Sequence, residues 1–214
     1  MKNASIKRKI KILLSPLFRI GLCRKDFSIL SNNCWAGHYY DMFHLPYLTP
    51  TIGLFFPAKD YLKFLSRIDY YLSLPLEKID SQKANCYSML KRKQEAGNLK
   101  NVDELIIGRL DDVEIVCLQY DSFEEASEKW NRRKTRLNRK CLIVKYNDQN
   151  EFEEENYETF INLPYSNKVF FTANEHFSKN KDVIYLKKYK EKGFVEDDLH
   201  NNNFSLKKYL KNIK

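Results

Sequence analysis

The residues best placed to do chemistry lie in the run Ser31-Asn32-Asn33-Cys34-Trp35-Ala36-Gly37. An apolar segment, residues 27–30, precedes it, and apolar residues recur at helical spacing after it. The pattern reads as strand, polar turn, then a helix over about residues 34–43. On that reading Asn33 is the N-cap and Cys34 lies in the first helical turn. Unpaired backbone N–H groups there favour an anion and so stabilise a thiolate. The carboxyl end of a strand in an open α/β sheet is also where ligands bind. A nucleophilic cysteine needs a base, and His38, four residues on along the same helix, and His44 are the candidates. A plainer reading stands beside this one: Asn33 caps, Cys34 and Trp35 pack, and both histidines are surface residues.

A second motif is Trp130-Asn131-Arg132-Arg133-Lys134-Thr135-Arg136-Leu137-Asn138. Arg132 and Arg136 are i,i+4 neighbours, and two guanidinium groups side by side suit a phosphate or a carboxylate. Trp130, Arg133 and Leu137 share another face, which draws Arg133 toward the core. The competing reading is a solvated helix end whose bases match the macrodipole, with one buried structural arginine. If both motifs face one pocket, the catalytic candidates are Cys34, His38 and His44. The substrate-binding set is then Asn32, Asn33, Trp35, Arg132, Arg136 and Asn138.

Other chemistries find little footing. The chain has no GxGxxG, no GxxxxGK[ST] and no HExxH, and no metal site or cofactor is evident. Asp111-Asp112 reads as a turn, and Glu153-Glu154-Glu155 as a solvated helix start.

Helices and strands must position these motifs. Strand candidates are residues 27–30, 51–56, 105–108, 113–118, 141–145, 168–172 and 183–186. Helices are expected after Pro57 up to Pro75, over 87–96 ending at Gly97, from the Ser122-Phe123-Glu124-Glu125 capping box to about 137, over 151–162 and over 205–212. The 105–118 stretch has the pattern of a hairpin around Asp111-Asp112. Strands alternating with helices predict an α/β layered fold with a largely parallel central sheet flanked by helices.

The chain has 214 residues, 43% of them apolar, enough for one well-packed domain. Its net charge of +9 is unevenly placed. Residues 1–25 hold eight Lys/Arg and no acid, whereas the rest carries 29 bases and 28 acids. We therefore divide it into a basic lead, 1–25, and a single α/β domain, 26–214. A near-neutral body argues against nucleic acid as a partner. The basic lead suits an anionic membrane surface, and residues 6–22 have the pattern of a basic amphipathic helix, which otherwise reads as a helix covering the domain. Five cysteines without CxxC spacing point to reduced thiols in a cytoplasmic protein, at most peripheral to the inner membrane. No signal peptide or spanning segment is predicted.

Several ordered motifs resemble a bacterial family of domains of unknown function whose members are often labelled exopolysaccharide biosynthesis proteins. They are Ser31 to Gly37, Leu45-Pro46-Tyr47 with Thr49 to Phe55, Asp60 to Leu65, and Tyr70-Tyr71-Leu72. Ala126, Trp130 to Arg133, Arg136-Leu137-Asn138 and Leu163 to Lys168 complete the set. The similarity runs over about residues 27–172. The family tends to carry a second Gly where Ala36 stands and a His-Tyr pair where Gln119-Tyr120 stands. The resemblance implies work in surface-polysaccharide assembly. Three functions follow as expectations: a transferase acting on a sugar or sugar-phosphate substrate, a cysteine-dependent hydrolase or acyltransferase using Cys34, or a non-catalytic, membrane-associated binding subunit.

Overall fold

The computed structural model describes residues 12–197 and 203–213. The first residues of the predicted basic helix, 6–11, lie outside them. In chain order the elements are a helix over residues 12–19 (α1), β1 (Ser28–Ser31), α2 (Trp35–Met42), β2 (Leu54–Phe55), α3 (Ala58–Ser66), α4 (Ile68–Ser73), β3 (Glu77–Ile79) and α5 (Tyr87–Glu95). Then come β4 (Ile106–Leu110), β5 (Val113–Cys117), α6 (Phe123–Lys134), β6 (Leu142–Asn147), α7 (Glu154–Asn162), β7 (Lys168–Thr172), β8 (Val183–Tyr185) and α8 (Leu206–Lys211).

Two four-stranded sheets result. The first is parallel throughout, in the order β1-β6-β7-β8, as the alternating pattern predicts. Strands β1, β6 and β7 are buried on both faces, which is why they read as largely apolar runs. One face sends Leu30, Val144, Tyr146 and Phe170 into a core shared with α3, α6 and α7. The other sends Ile29, Ile143, Val169 and Phe171 against Trp35 and Tyr40 of α2 and Leu206 and Leu210 of α8. The second sheet is antiparallel, in the order β2-β5-β4-β3. Its centre is the predicted hairpin, turned by Asp111 in the left-handed region (φ 55°).

Local expectations fail where tertiary contacts take over. Of the expected strand over 51–56, only Leu54–Phe55 pairs, antiparallel to β5. Gly53 (φ 72°) bends the chain just before it, and its carbonyl accepts Leu118 and Gln119 N–H. The helix expected up to Pro75 breaks at Arg67, whose φ and ψ of −134° and 44° are not helical. The Ser122 cap forms, Ser122 Oγ accepting Glu125 N–H at 3.1 Å. Among the described residues no helix is long and apolar enough to cross a membrane.

Candidate functional site

Strands β1 and β6 are parallel neighbours, with Ser31 opposite Lys145. The two chains therefore leave the sheet together, one as Asn32-Asn33-Cys34 and the other as Asp148-Gln149-Asn150. This is the carboxyl edge of a parallel sheet, where α/β proteins place ligands.

The centre of this edge is a lysine inside an apolar strand. Lys145 shares a strand face with Ile143 by the two-residue repeat, and only 1% of it is exposed. Its Nζ donates to Asn33 Oδ1 at 2.7 Å and to Asn32 Oδ1 at 3.4 Å. It lies 5.9 Å from the ring centroids of both Trp35 and Phe171. Burial pulls its pKa down to about 7, against the opposing fields of Asp197 and Asp148.

Asn33 is the hub. Besides Lys145, its Oδ1 accepts Ser31 Oγ at 2.9 Å and Trp35 N–H at 3.4 Å, and its Nδ2 donates to Gln149 Oε1 at 3.3 Å. It is not the helix cap expected from the sequence. The cap of α2 is Cys34, one residue later and already near helical φ and ψ. The Cys34 N–H is taken by Asp197 Oδ2 at 3.1 Å, a carboxylate 163 residues away in sequence.

Two carboxylates complete the cluster. Asp148 is a strap: Oδ2 accepts Thr172 Oγ1 (2.9 Å) and Ala173 N–H (2.7 Å), and Oδ1 accepts Val195 N–H (2.6 Å). Burial raises its pKa, and these bonds oppose the rise. Asp197 has no such saturation. Its Oδ1 is buried without a hydrogen-bond partner among the described residues. Burial raises its pKa, while Lys145 and His38 act in the other direction.

The cluster opens into a cleft of about 300 Å³ lined by Asn33, Cys34, Phe55, Lys93, Asn98, Leu99, Leu118, Gln149, Asn150, Phe194, Glu196 and Asp197. A second cleft, of about 380 Å³, shares Lys93, Asn98, Gln149, Asn150 and Phe194. A third, of about 390 Å³, shares Asn150 and adds Asp60 and Cys86. Together they form a groove along the sheet edge, amide-rich with aromatic walls. Lys93 has no ion-pair partner among the described residues, and burial lowers its pKa. Asn150 and Glu151 are consecutive left-handed residues (φ 61° and 65°), each costing about 1 kcal/mol in a non-glycine residue. Two bonds hold the first in place: Asn150 Nδ2 to Phe56 O (3.1 Å) and Ala58 N–H to Asn150 O (2.8 Å).

The structure brings together Asn32, Asn33, Cys34 and Trp35, sets His38 within electrostatic reach of Asp197, and leaves the other candidates elsewhere. Trp35 is buried beneath Lys145, with 1% exposure, and does not line the cleft. The thiolate expected at Cys34 is opposed: burial, reinforced by Asp197, pushes the thiol up to about 12. Its Sγ meets Leu54 O at 3.9 Å and Gln119 Nε2 at 4.0 Å. Among the described residues no histidine hydrogen-bonds to it. His38 is exposed on α2, and His44, exposed with φ 47°, borders a different cleft with Arg136. Arg132 is exposed and paired with Glu128 at 3.0 Å. Neither arginine lines the groove that holds Cys34, so the shared pocket expected from the two motifs does not form. The helical face that carries Arg132 is the solvent face of α6. Asn138 is structural: its Oδ1 accepts Lys140 N–H, and its Nδ2 donates to Asp26 O at 2.7 Å.

Sequence reasoning missed Lys145, Asp148, Asp197 and Lys93. A lysine interrupting Leu142-Ile143-Val144 and a polar Asn147-Asp148-Gln149-Asn150 exit were signals for the first two. Asp197 and Lys93 carry no local signal.

Similarity to other proteins covers nearly the whole molecule. A protein of Haemophilus influenzae (strain ATCC 51907 / DSM 11121 / KW20 / Rd), described as uncharacterized, is 25% identical over 207 residues, 97% of this chain and 90% of that protein. The signature of the domain-of-unknown-function family DUF1919 spans residues 5–214, and the chain belongs to that family.

Proposed function

We propose that this protein is a group-transfer enzyme of bacterial surface-polysaccharide biosynthesis that binds a phosphorylated, sugar-containing substrate in the groove beside Asp197, Lys145 and Lys93. The observation that carries the reading is Asp197, which lines the cleft: one carboxylate oxygen is anchored on the Cys34 N–H, and the other is buried without a hydrogen-bond partner among the described residues. Such an oxygen suits a hydrogen bond from a substrate hydroxyl, because an unpaired buried acceptor is costly. Burial raises its pKa, which makes it a stronger proton acceptor than an ordinary carboxylate. As the acceptor hydroxyl forms its bond to the transferred sugar and the sugar–phosphate bond breaks, Asp197 would take the hydroxyl proton and the phosphate would leave against Lys93, with Lys145 steadying the carboxylate by its field. Asn33, Asn98 and Gln149 offer amides to further hydroxyls, Phe55 and Phe194 offer apolar faces to a sugar ring, and Lys93 meets the phosphate. The polysaccharide assignment rests on the family resemblance; the substrate chemistry rests on the groove.

Cysteine catalysis has weaker support. The side chain that meets the thiol is Gln119, whose amide is not a base.

The test is calorimetric titration with a panel of sugar phosphates and nucleotide sugars. At least one should bind, and Lys93→Ala and Asp197→Asn should each weaken binding about tenfold or more, the loss of one charge-assisted hydrogen bond. Binding by no member of the panel, or equal binding by both variants, would overturn the proposal.

A further inference from the structure

Helix α1 is attached to the body the wrong way round for a helix that merely covers a core. Its polar residues face inward. Arg19 Nε and Nη2 donate to the carbonyls of Phe43 and His44, each at 2.6 Å, where the end of α2 leaves acceptors unpaired. Ser15 is buried, with its hydroxyl donating to Ile12 O at 2.8 Å. Its apolar residues face outward. Leu13, Leu17 and Ile20, spaced i, i+4, i+7 on one helical face, are 77%, 62% and 69% exposed, and Ile12, Leu14 and Phe18 beside them are exposed as well. A contiguous exposed apolar face of this kind marks an interaction surface.

Charge identifies the partner. Residues 1–25 hold eight basic side chains and no acid, and residues 203–214 hold four and no acid. The 177 residues between them carry 25 bases and 28 acids. The two basic segments meet: Lys207 of α8 donates through Nζ to Ile20 O at 2.8 Å, which leaves Lys208 and Lys211 exposed beside the end of α1. An apolar ridge flanked by cations, with Lys208 and Lys211 free of an ion-pair partner among the described residues, matches the interface of an anionic bilayer, where the aliphatic side chains enter the acyl boundary and the lysines reach headgroup phosphates. A second copy of the chain fits poorly, because it would bring the same cations face to face.

We infer that α1, with the exposed lysines of α8, is a docking surface for an anionic lipid bilayer, holding the protein against the membrane without spanning it. The contact is independent of the substrate groove, which is built from other elements.

The experiment is co-sedimentation of the full chain with phosphatidylcholine vesicles with and without phosphatidylglycerol. The protein should pellet with the phosphatidylglycerol vesicles and not with the neutral ones, and added salt should release it. The combined substitution Leu13→Ser, Leu17→Ser and Ile20→Ser should weaken binding about tenfold or more, with an unchanged melting temperature, because all three side chains are already in water. Lys208→Glu with Lys211→Glu, outside α1, should weaken it as well and keeps the test decisive if the triple variant folds badly. Three results would each overturn the proposal: no binding to phosphatidylglycerol vesicles, equal binding by both variants, or self-association abolished by the triple variant without any vesicle binding.

Discussion

Lys145 Nζ donates a 2.7 Å hydrogen bond to Asn33 Oδ1, joining the ends of two parallel strands through a fully buried ammonium. The bond explains why a charged residue is tolerated in β6, and it makes the site sensitive to pH. The lysine pKa falls from 10.5 unfolded to about 7 folded. Between those values the unfolded chain binds more protons, so this group's destabilising effect is full below about pH 7 and fades as pH rises toward 10.5. Lys145→Met should therefore be more stable relative to the wild type at pH 6 than at pH 10, by up to a few kcal/mol, while losing ligand binding. Urea unfolding of both proteins at the two pH values measures this; a pH-independent difference would contradict it.

Asp60 gives a second pH-dependent case, on the rim of the groove. Burial raises its pKa from 3.8 to about 6, although its Oδ2 accepts Glu114 N–H at 2.9 Å. Here the folded state binds more protons, so stability is lost as pH rises from about 4 to 6. Asp60→Asn keeps the acceptor and removes the charge. It should stabilise by ~1–2 kcal/mol at pH 7, with the gap closing by pH 4. Thermal melting across that range checks the sign.

The neighbouring arginines of α6 should separate cleanly. Arg133 is buried, donates to Tyr120 Oη at 2.8 Å and stacks over the Tyr47 ring at 4.8 Å, while Tyr120 Oη in turn donates to Ile52 O. Arg133→Ala removes the donor to Tyr120 Oη and the cation over Tyr47, and should cost about 2–3 kcal/mol. Arg132 makes an exposed ion pair with Glu128, so Arg132→Ala should change stability by no more than about 0.5 kcal/mol. Because neither residue reaches the groove, neither substitution should change ligand affinity once stability is accounted for.

Thiol chemistry offers an independent check. Burial and Asp197 disfavour the Cys34 thiolate, whereas Cys23 is exposed. Iodoacetamide at neutral pH should alkylate Cys23 well before Cys34, as read by peptide mass spectrometry. Cys34→Ser should retain ligand binding. Fast, selective alkylation of Cys34 would restore the nucleophile reading.

Asn33→Ala tests the hub directly. A simple cap is worth about 1 kcal/mol. Asn33 Oδ1 accepts from Ser31, Lys145 and Trp35, so its removal also leaves buried Lys145 Nζ with only the longer 3.4 Å bond to Asn32 Oδ1 among these. A loss of about 3 kcal/mol or more in chemical denaturation is expected, and a loss near 1 would return Asn33 to the role of a cap.

The parallel sheet, the hairpin at Asp111, the Ser122 cap and the turn around Cys34 are all legible in the sequence. Each depends on residues close in the chain: short apolar runs alternating with helical patterns, a turn dipeptide, an N-cap signature. Buried Arg133 was legible too, through its spacing from Trp130 and Leu137. By contrast, the strand pairing that sets Asn33 beside Lys145 spans 112 residues, and the bond from Asp197 to Cys34 spans 163. Helical spacing placed Arg132 and Arg136 on a face but did not say which way that face points.

The sequence by itself determined most of the segments that become strands and helices, and that a polar turn interrupts them at residues 31–34, because those choices follow from local backbone preference and apolar patterning. Only the tertiary structure decided that Lys145, Asp148 and Asp197 meet at that turn, that α1 faces its leucines outward, and that Cys34 is held as a thiol. Burial and electrostatic field are properties of what the fold brings together, and they set the charge state of each of these groups.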